Sequence, residues 1–277
     1  MLRLPPWHAH LDVWLLFGSI LAAYFIAARR HQRAVGEVTP RRTKRFFVLG
    51  IAVLWLGADW PIHDLAERYL YSMHMIQHML FTFIAAPLLI VGMPAWLLRD
   101  LLRPKGVHAV FAFMTRPLVA LIFFNSVLLF SHWPSIVTIA VGSEWIHFAL
   151  HVLIVTSALV MWWPVVSPLP EMPPLSPPGQ MMYLFFQSLA PTIPASFLTF
   201  GTKPLYPIYA TFPRIWGIDV LTDQLMAGLI MKLVGSAILW VVIGTVFFRW
   251  YGREQRAELD PTQYAGLDRE IRAELNR

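Results

Sequence analysis

YSMHMIQHML, residues 71–80, sets two histidines four positions apart in an apolar run that continues as FTFIAAPLLIVG to residue 92. A helix of about 20 apolar residues crosses a bilayer, and this run is long enough. Residues i and i+4 share one helix face, so His74 and His78 project the same way from consecutive turns. Three methionines, Met73, Met75 and Met79, accompany them. Ionisable side chains inside a span are costly and by default mark function. The stretch therefore settles the fold class as membrane helix and raises the question of what two imidazoles do there.

The whole chain agrees with that class. Of 277 residues, 57% are hydrophobic and only 14% charged, against about 25% charged in an average soluble domain; the mean hydropathy is +0.56. The absence of cysteine excludes disulfides, thiolate metal sites and cysteine catalysis. A metal would have to be held by imidazole, carboxylate or thioether. The net charge of +6 comes from basic residues in the loops between apolar runs, where they set topology; no nucleic-acid partner is expected. The first apolar run lacks a small-residue cleavage site and reads as a retained helix.

The pattern predicts an all-α, polytopic bundle of seven transmembrane helices, roughly 11–28, 46–62, 71–93, 117–132, 144–163, 180–200 and 222–248. It predicts a membrane domain over 1–249 and a short charged tail over 250–277, a fraying amphipathic helix. The first loop carries Arg29, Arg30, Arg33, Arg41, Arg42, Lys44 and Arg45. By the positive-inside rule it is cytoplasmic, which puts the N-terminus outside and the C-terminus inside. Arg99, Arg103, Lys105, Arg116, Arg249, Arg253 and Arg256 then also fall inside, and only Arg3, Arg68, Lys203 and Arg214 outside. The seven prolines of PVVSPLPEMPPLSPP (164–178) predict an extended cytoplasmic linker. GTKPLYPIYATFPRIWGIDVL (201–221) is rich in aromatics and is expected to lie across the outer mouth of the bundle.

At 1.5 Å per residue, His74 and His78 lie roughly 5 and 10 Å below the outer surface. EWIHFALH in the fifth span places His147 and His151 four apart at about the same two depths. DWPIHD adds Asp59, His63 and Asp64 at the outer end of span two. His132 ends span four, Asp223 and Gln224 open span seven, and His8 and His10 precede span one. Of ten histidines, only His31 and His108 fall on the cytoplasmic side.

Facing helices of a bundle commonly build metal sites from such pairs. The candidate ligands are His74, His78, His147 and His151, with His63 and Asp59 beside them and His132, Asp223, Met73 and His10 as a second group. Imidazole suits copper, zinc, iron and nickel, and thioether biases toward Cu(I), so copper is the expected metal. Plainer roles stand beside these. His132 or His8 could make an interhelical hydrogen bond, the methionines could fill gaps in the core, and Asp59 and Asp223 could orient an imidazole or lie in interface water. Lys232, deep in span seven, is expected to pair internally or with backbone carbonyls. A zinc protease would need HExxH, but Met75 follows His74 and Phe148 follows His147. Two haems would need histidines near both membrane faces, and no haem is expected. The alternative function is a membrane redox enzyme or electron carrier with copper or one haem. A transporter would want a polar path through inner halves that look apolar.

HMIQHMLFTFIAAPLLIVGMPAWLL (74–98) resembles the hallmark segment of the multi-span CtaG-type cytochrome c oxidase assembly factors. SHWPSIVTIAVGSEWIHFALHVLIVTSALVMWWPVVSP (131–168) is similar in its HxP, HxxxH and WWP, and YPIYATFPRIWGIDVLTDQLMAGLIM (206–231) in its outer loop and DQ. The likeness covers nearly all the chain but its termini, and departs at Lys232, where many relatives are expected to carry an aromatic residue. It implies a multi-pass protein of the bacterial plasma membrane, not an enzyme, that helps build a haem–copper oxidase by assisting the maturation of a copper centre. Its partners would be oxidase subunits or other assembly factors, and the lipid bilayer.

Overall fold

The computed structural model describes residues 4–258 and 272–275, and among them there is no strand. Twelve helices follow in order: α1 (Leu11–Val35), α2 (Arg41–Ala58), α3 (Ile62–Arg68), α4 (Tyr71–Gly92), α5 (Ala95–Leu101), α6 (Lys105–Met114), α7 (Pro117–Ser131), α8 (Pro134–Val141), α9 (Glu144–Val166), α10 (Pro177–Leu189), α11 (Thr192–Phe200) and α12 (Val220–Arg256). A 3₁₀ turn, Pro207–Thr211, lies in the loop before α12.

By length and composition α1, α4, α9 and α12 can each cross a membrane; with α2–α3 and α6–α7, bent by 40° and 80°, counted as single spans, the number reaches six. The segment expected as the sixth of seven spans is two helices, α10 of 13 residues and α11 of 9. Pro191, which has no N–H to continue the ladder, stands at the break. Helix α12 runs through Arg249 to Arg256, across the expected start of the tail; 259–271 and 276–277 of that tail lie outside the described residues.

Helix α4 is the most enclosed of the four long helices and α1 the least. Small residues let the neighbours of α4 come close, as they do in membrane bundles. A Cβ at Gly57 would meet the Phe81 ring at 2.6 Å, and one at Gly50 would meet Leu89 at 2.9 Å. Gly92 packs directly on the backbone of Phe47. Tyr24 of α1 stacks on Phe47 at 3.9 Å between centroids and donates to the Gly92 carbonyl at 3.0 Å, tying three helices at one point.

Within α4, Leu80–Ala85 is π-helical. Pro87 follows directly; a proline clashes with the carbonyl four residues back, and a widened turn relieves it. The Thr82 carbonyl accepts instead from the Trp162 indole of α9 at 2.7 Å. A second π segment, Ile230–Val234, interrupts α12 and contains the half-buried Lys232. Where α4 begins, Asp223 of α12 accepts from the Tyr71 and Ser72 amides at 2.7 and 3.0 Å. That carboxylate satisfies two of the free N–H groups of a helix start and opposes its dipole.

The proline-rich segment is folded down, not extended. Ser167 Oγ donates to the Met172 carbonyl at 2.6 Å, and the Leu175 amide closes back on the Pro164 carbonyl at 2.8 Å. Leu169 is buried, with Met172 and Leu175 packed on the core around Trp162 and Trp163. The apolar residues between the prolines anchor it. Arg99 of α5 grips Glu171 with two bonds, 2.7 and 3.1 Å, and these hold the carboxyl down at about 2.

Candidate metal centre

Four elements carry the histidines. Helix α4 presents His74 and His78, α9 presents His147 and His151, α3 presents His63, and His132 caps the end of α7. The rings form a continuous array: His74 to His78 is 4.3 Å between centroids, His147 to His151 4.3 Å, His74 to His147 5.5 Å, His74 to His151 5.8 Å and His78 to His132 5.6 Å. His74, His147 and His151 each offer a ring nitrogen, and all three lie within 4.8 Å of one another. His78 is adjacent to this trio, facing His74 and His151 on one side and His132 on the other.

A carboxylate that the sequence reading passed over organises them. Glu67 Oε1 sits 2.6 Å from His147 Nδ1 and 3.3 Å from His63 Nε2. A carboxylate only accepts, so His147 carries its proton on Nδ1 and turns a lone pair outward from Nε2. That Nε2 is 3.0 Å from Nε2 of His151. The Gln77 amide nitrogen donates to the Gly57 carbonyl at 2.8 Å and reaches His63 Nδ1 at 3.2 Å, leaving the His63 proton on Nε2, toward Glu67. Glu67 thus fixes two tautomers, in the manner of the carboxylate–histidine pairs that support metal ligands. Glu67 is the i+4 neighbour of His63 in HDLAER, a spacing that shows in the sequence, while its contact with His147 does not.

Two imidazole nitrogens are buried without a hydrogen-bond partner, His74 Nδ1 and His132 Nε2. His132 Nδ1 lies 2.7 Å from the Leu128 carbonyl; a carbonyl only accepts, so the proton is on Nδ1 and Nε2 holds a free lone pair. Orphaned buried nitrogens are rare in folded proteins, and here they sit where cation ligands would be wanted. Ligands at about 2.0–2.1 Å around a tetrahedral ion are roughly 3.3 Å apart. The His147–His151 pair, 3.0 Å apart, nearly matches that spacing, and from within 4.8 Å His74 has to close by at most about 1.5 Å to reach it. The donor set fits copper or zinc.

The other expected residues fall elsewhere. Asp59 accepts from the Trp14 and Trp55 indoles at 2.6 and 3.0 Å and from the Trp60 amide at 2.8 Å, pinning α1 to α2 and orienting no imidazole. Asp223 caps α4. His10 holds Asp64 at 2.9 Å, with His8 at 3.6 Å, and its ring meets His63 edge-on at 5.1 Å, so it buttresses the rim. Met73 lines neither cavity beside the histidines, whereas Met75 and Met79 line one of them.

A cavity of about 430 Å³ opens onto the trio, lined also by Glu67, Glu144 and Tyr209. Tyr209, Phe212 and Pro213 of the 201–221 loop form part of its wall. Tyr206 donates from its hydroxyl to the His132 carbonyl at 2.8 Å, and the Gln224 side chain brackets the Tyr206 backbone at 3.2 and 2.9 Å. Glu67→Gln keeps the shape but replaces an acceptor by an amide. We expect metal affinity at the trio to fall about 10–100-fold, measured by competition with a chelator.

The fold and site together define a helical membrane protein with a polyimidazole, carboxylate-supported cluster at one end of the bundle. Within that class, the family model described as cytochrome c oxidase caa3 assembly factor matches residues 22–253, and the chain belongs to this family. No curated protein and no solved structure matches it.

Proposed function

We propose that the protein assists maturation of a copper centre in a haem–copper oxidase, receiving copper on His74, His147 and His151 and releasing it to an oxidase subunit or another assembly factor. The observation that carries this reading is the trio of ring nitrogens within 4.8 Å of one another, with Glu67 holding His147 in the ligating tautomer. Family membership supplies the oxidase; the donor chemistry supplies the metal. Here copper is cargo, and the role is delivery, not catalysis. An open cavity of about 430 Å³ beside the trio suits a site that must exchange its ion with another protein.

Seven spans in a bacterial plasma membrane, with the cluster near the outer face, complete the proposal. The arginine-rich loops at the opposite end support it. A reporter fused after Arg277 is expected to be active in the cytoplasm, and activity only outside would reverse the orientation.

Loss of the protein is expected to remove mature oxidase activity and leave the other respiratory complexes intact. Added copper is expected to restore part of the activity to a variant whose site is weakened, by mass action. Normal oxidase activity in the deletion strain would refute the assembly role.

A further inference from the structure

We infer that the bundle holds a second copper station, specific for Cu(I), beneath the trio: His78 and His132 with the thioethers of Met75, Met79 and Met231. This deepens the copper reading above and rests on it. A second cavity, of about 20 Å³, is bounded by these five side chains, by Thr82 and otherwise by hydrocarbon. That is room for about one water or one small ion.

Three features select the occupant. His132 is only 6% exposed, and its Nε2 is buried without a partner and carries the lone pair. A water here would find few polar partners, because most of the wall is thioether, ring and aliphatic carbon. Imidazole with thioether is the donor set that favours Cu(I). Charge gives the same answer. No carboxylate lines this cavity, whereas Glu67 stands at the trio. A divalent ion buried among neutral ligands keeps its full desolvation cost, and a singly charged soft ion keeps much less of it.

Geometry connects the two stations. His78 lines both cavities and lies one helical turn below His74. It can hold the ion while ligands exchange around it, so Cu(I) enters and leaves as Cu(I) with no electron transferred. The two π segments converge here: Met231 lies in the second, Thr82 and Phe83 in the first, and all three line the cavity.

The test uses the full chain purified in detergent and titrated anaerobically with Cu(I) against a chromophoric Cu(I) chelator. X-ray absorption then reports the coordination shell. Wild type is expected to bind two equivalents, one with sulfur ligands and one with nitrogen and oxygen only. Met75→Leu, Met79→Leu and Met231→Leu together, close in volume, are expected to lose one equivalent and all sulfur scattering while keeping the other. His147→Ala with His151→Ala is expected to do the reverse. A wild type without a sulfur-ligated equivalent, or sulfur scattering that persists in the triple methionine variant, overturns the proposal. A sulfur-ligated equivalent found without the nitrogen-only one leaves this station standing and removes the trio instead.

Discussion

His147→Ala with His151→Ala is expected to give a protein that accumulates in the membrane at normal levels but no longer supports oxidase maturation. The two imidazoles are 3.0 Å apart and belong to the trio, so the pair removes most of one ion's ligands. Copper affinity at the trio is expected to fall at least ~100-fold, the upper end of what losing a supporting partner alone produces. Stability is expected to change little. Both side chains line the open cavity, and an interhelical polar contact in a membrane contributes only about 1 kcal/mol. A purely structural pair would show as lost protein or as no effect. Stable protein with full oxidase activity, read from membrane oxidase assays beside an immunoblot, would defeat the delivery role of the trio.

Gly92→Val is expected to do the opposite and remove the protein itself. A Cβ at residue 92 would overlap the backbone of Phe47, which cannot rotate away as a side-chain tip can. Helices α2 and α4 would have to separate, breaking the Tyr24 hydroxyl bond to the Gly92 carbonyl. Overpacking a close contact typically costs about 1–3 kcal/mol, and a clash with main chain belongs at the top of that range or beyond. Steady-state protein level and thermal stability in detergent measure it. Gly18→Val is the control, since nothing lies within 4 Å of a Cβ there. Equal stability of the two variants would contradict the close packing of α2 on α4.

What the sequence revealed follows from which signals are local. The HxxxH pairs were legible because a four-residue spacing fixes a shared helix face. Glu67 was not, because HDLAER reads as the polar end of a span until α3 turns it back over His147. Met73 was singled out with Met75 and Met79, yet flanking positions on a helix lie on either side of the histidine stripe. Met75 and Met79 line one cavity with His78, and Met231 of α12, distant in the sequence, lines it as well. Asp59 and Asp223 read equally as partners for an imidazole or as residues in interface water. Their true partners, the Trp14 indole and the Tyr71 amide, come from distant parts of the chain. The proline count of 164–178 suggested an extended linker, and Leu169, Met172 and Leu175 overrode it by burial. The break at Pro191 was visible as a residue but not as a division of the sixth span.

The most direct test of the copper reading is the metal content and optical spectrum of the protein purified from copper-replete cells, beside the His147→Ala, His151→Ala variant. Wild type is expected to carry copper with no haem Soret band, and the variant to carry one equivalent less. A Soret band in wild type, or the same copper content in both proteins, would contradict a copper site built on His74, His147 and His151.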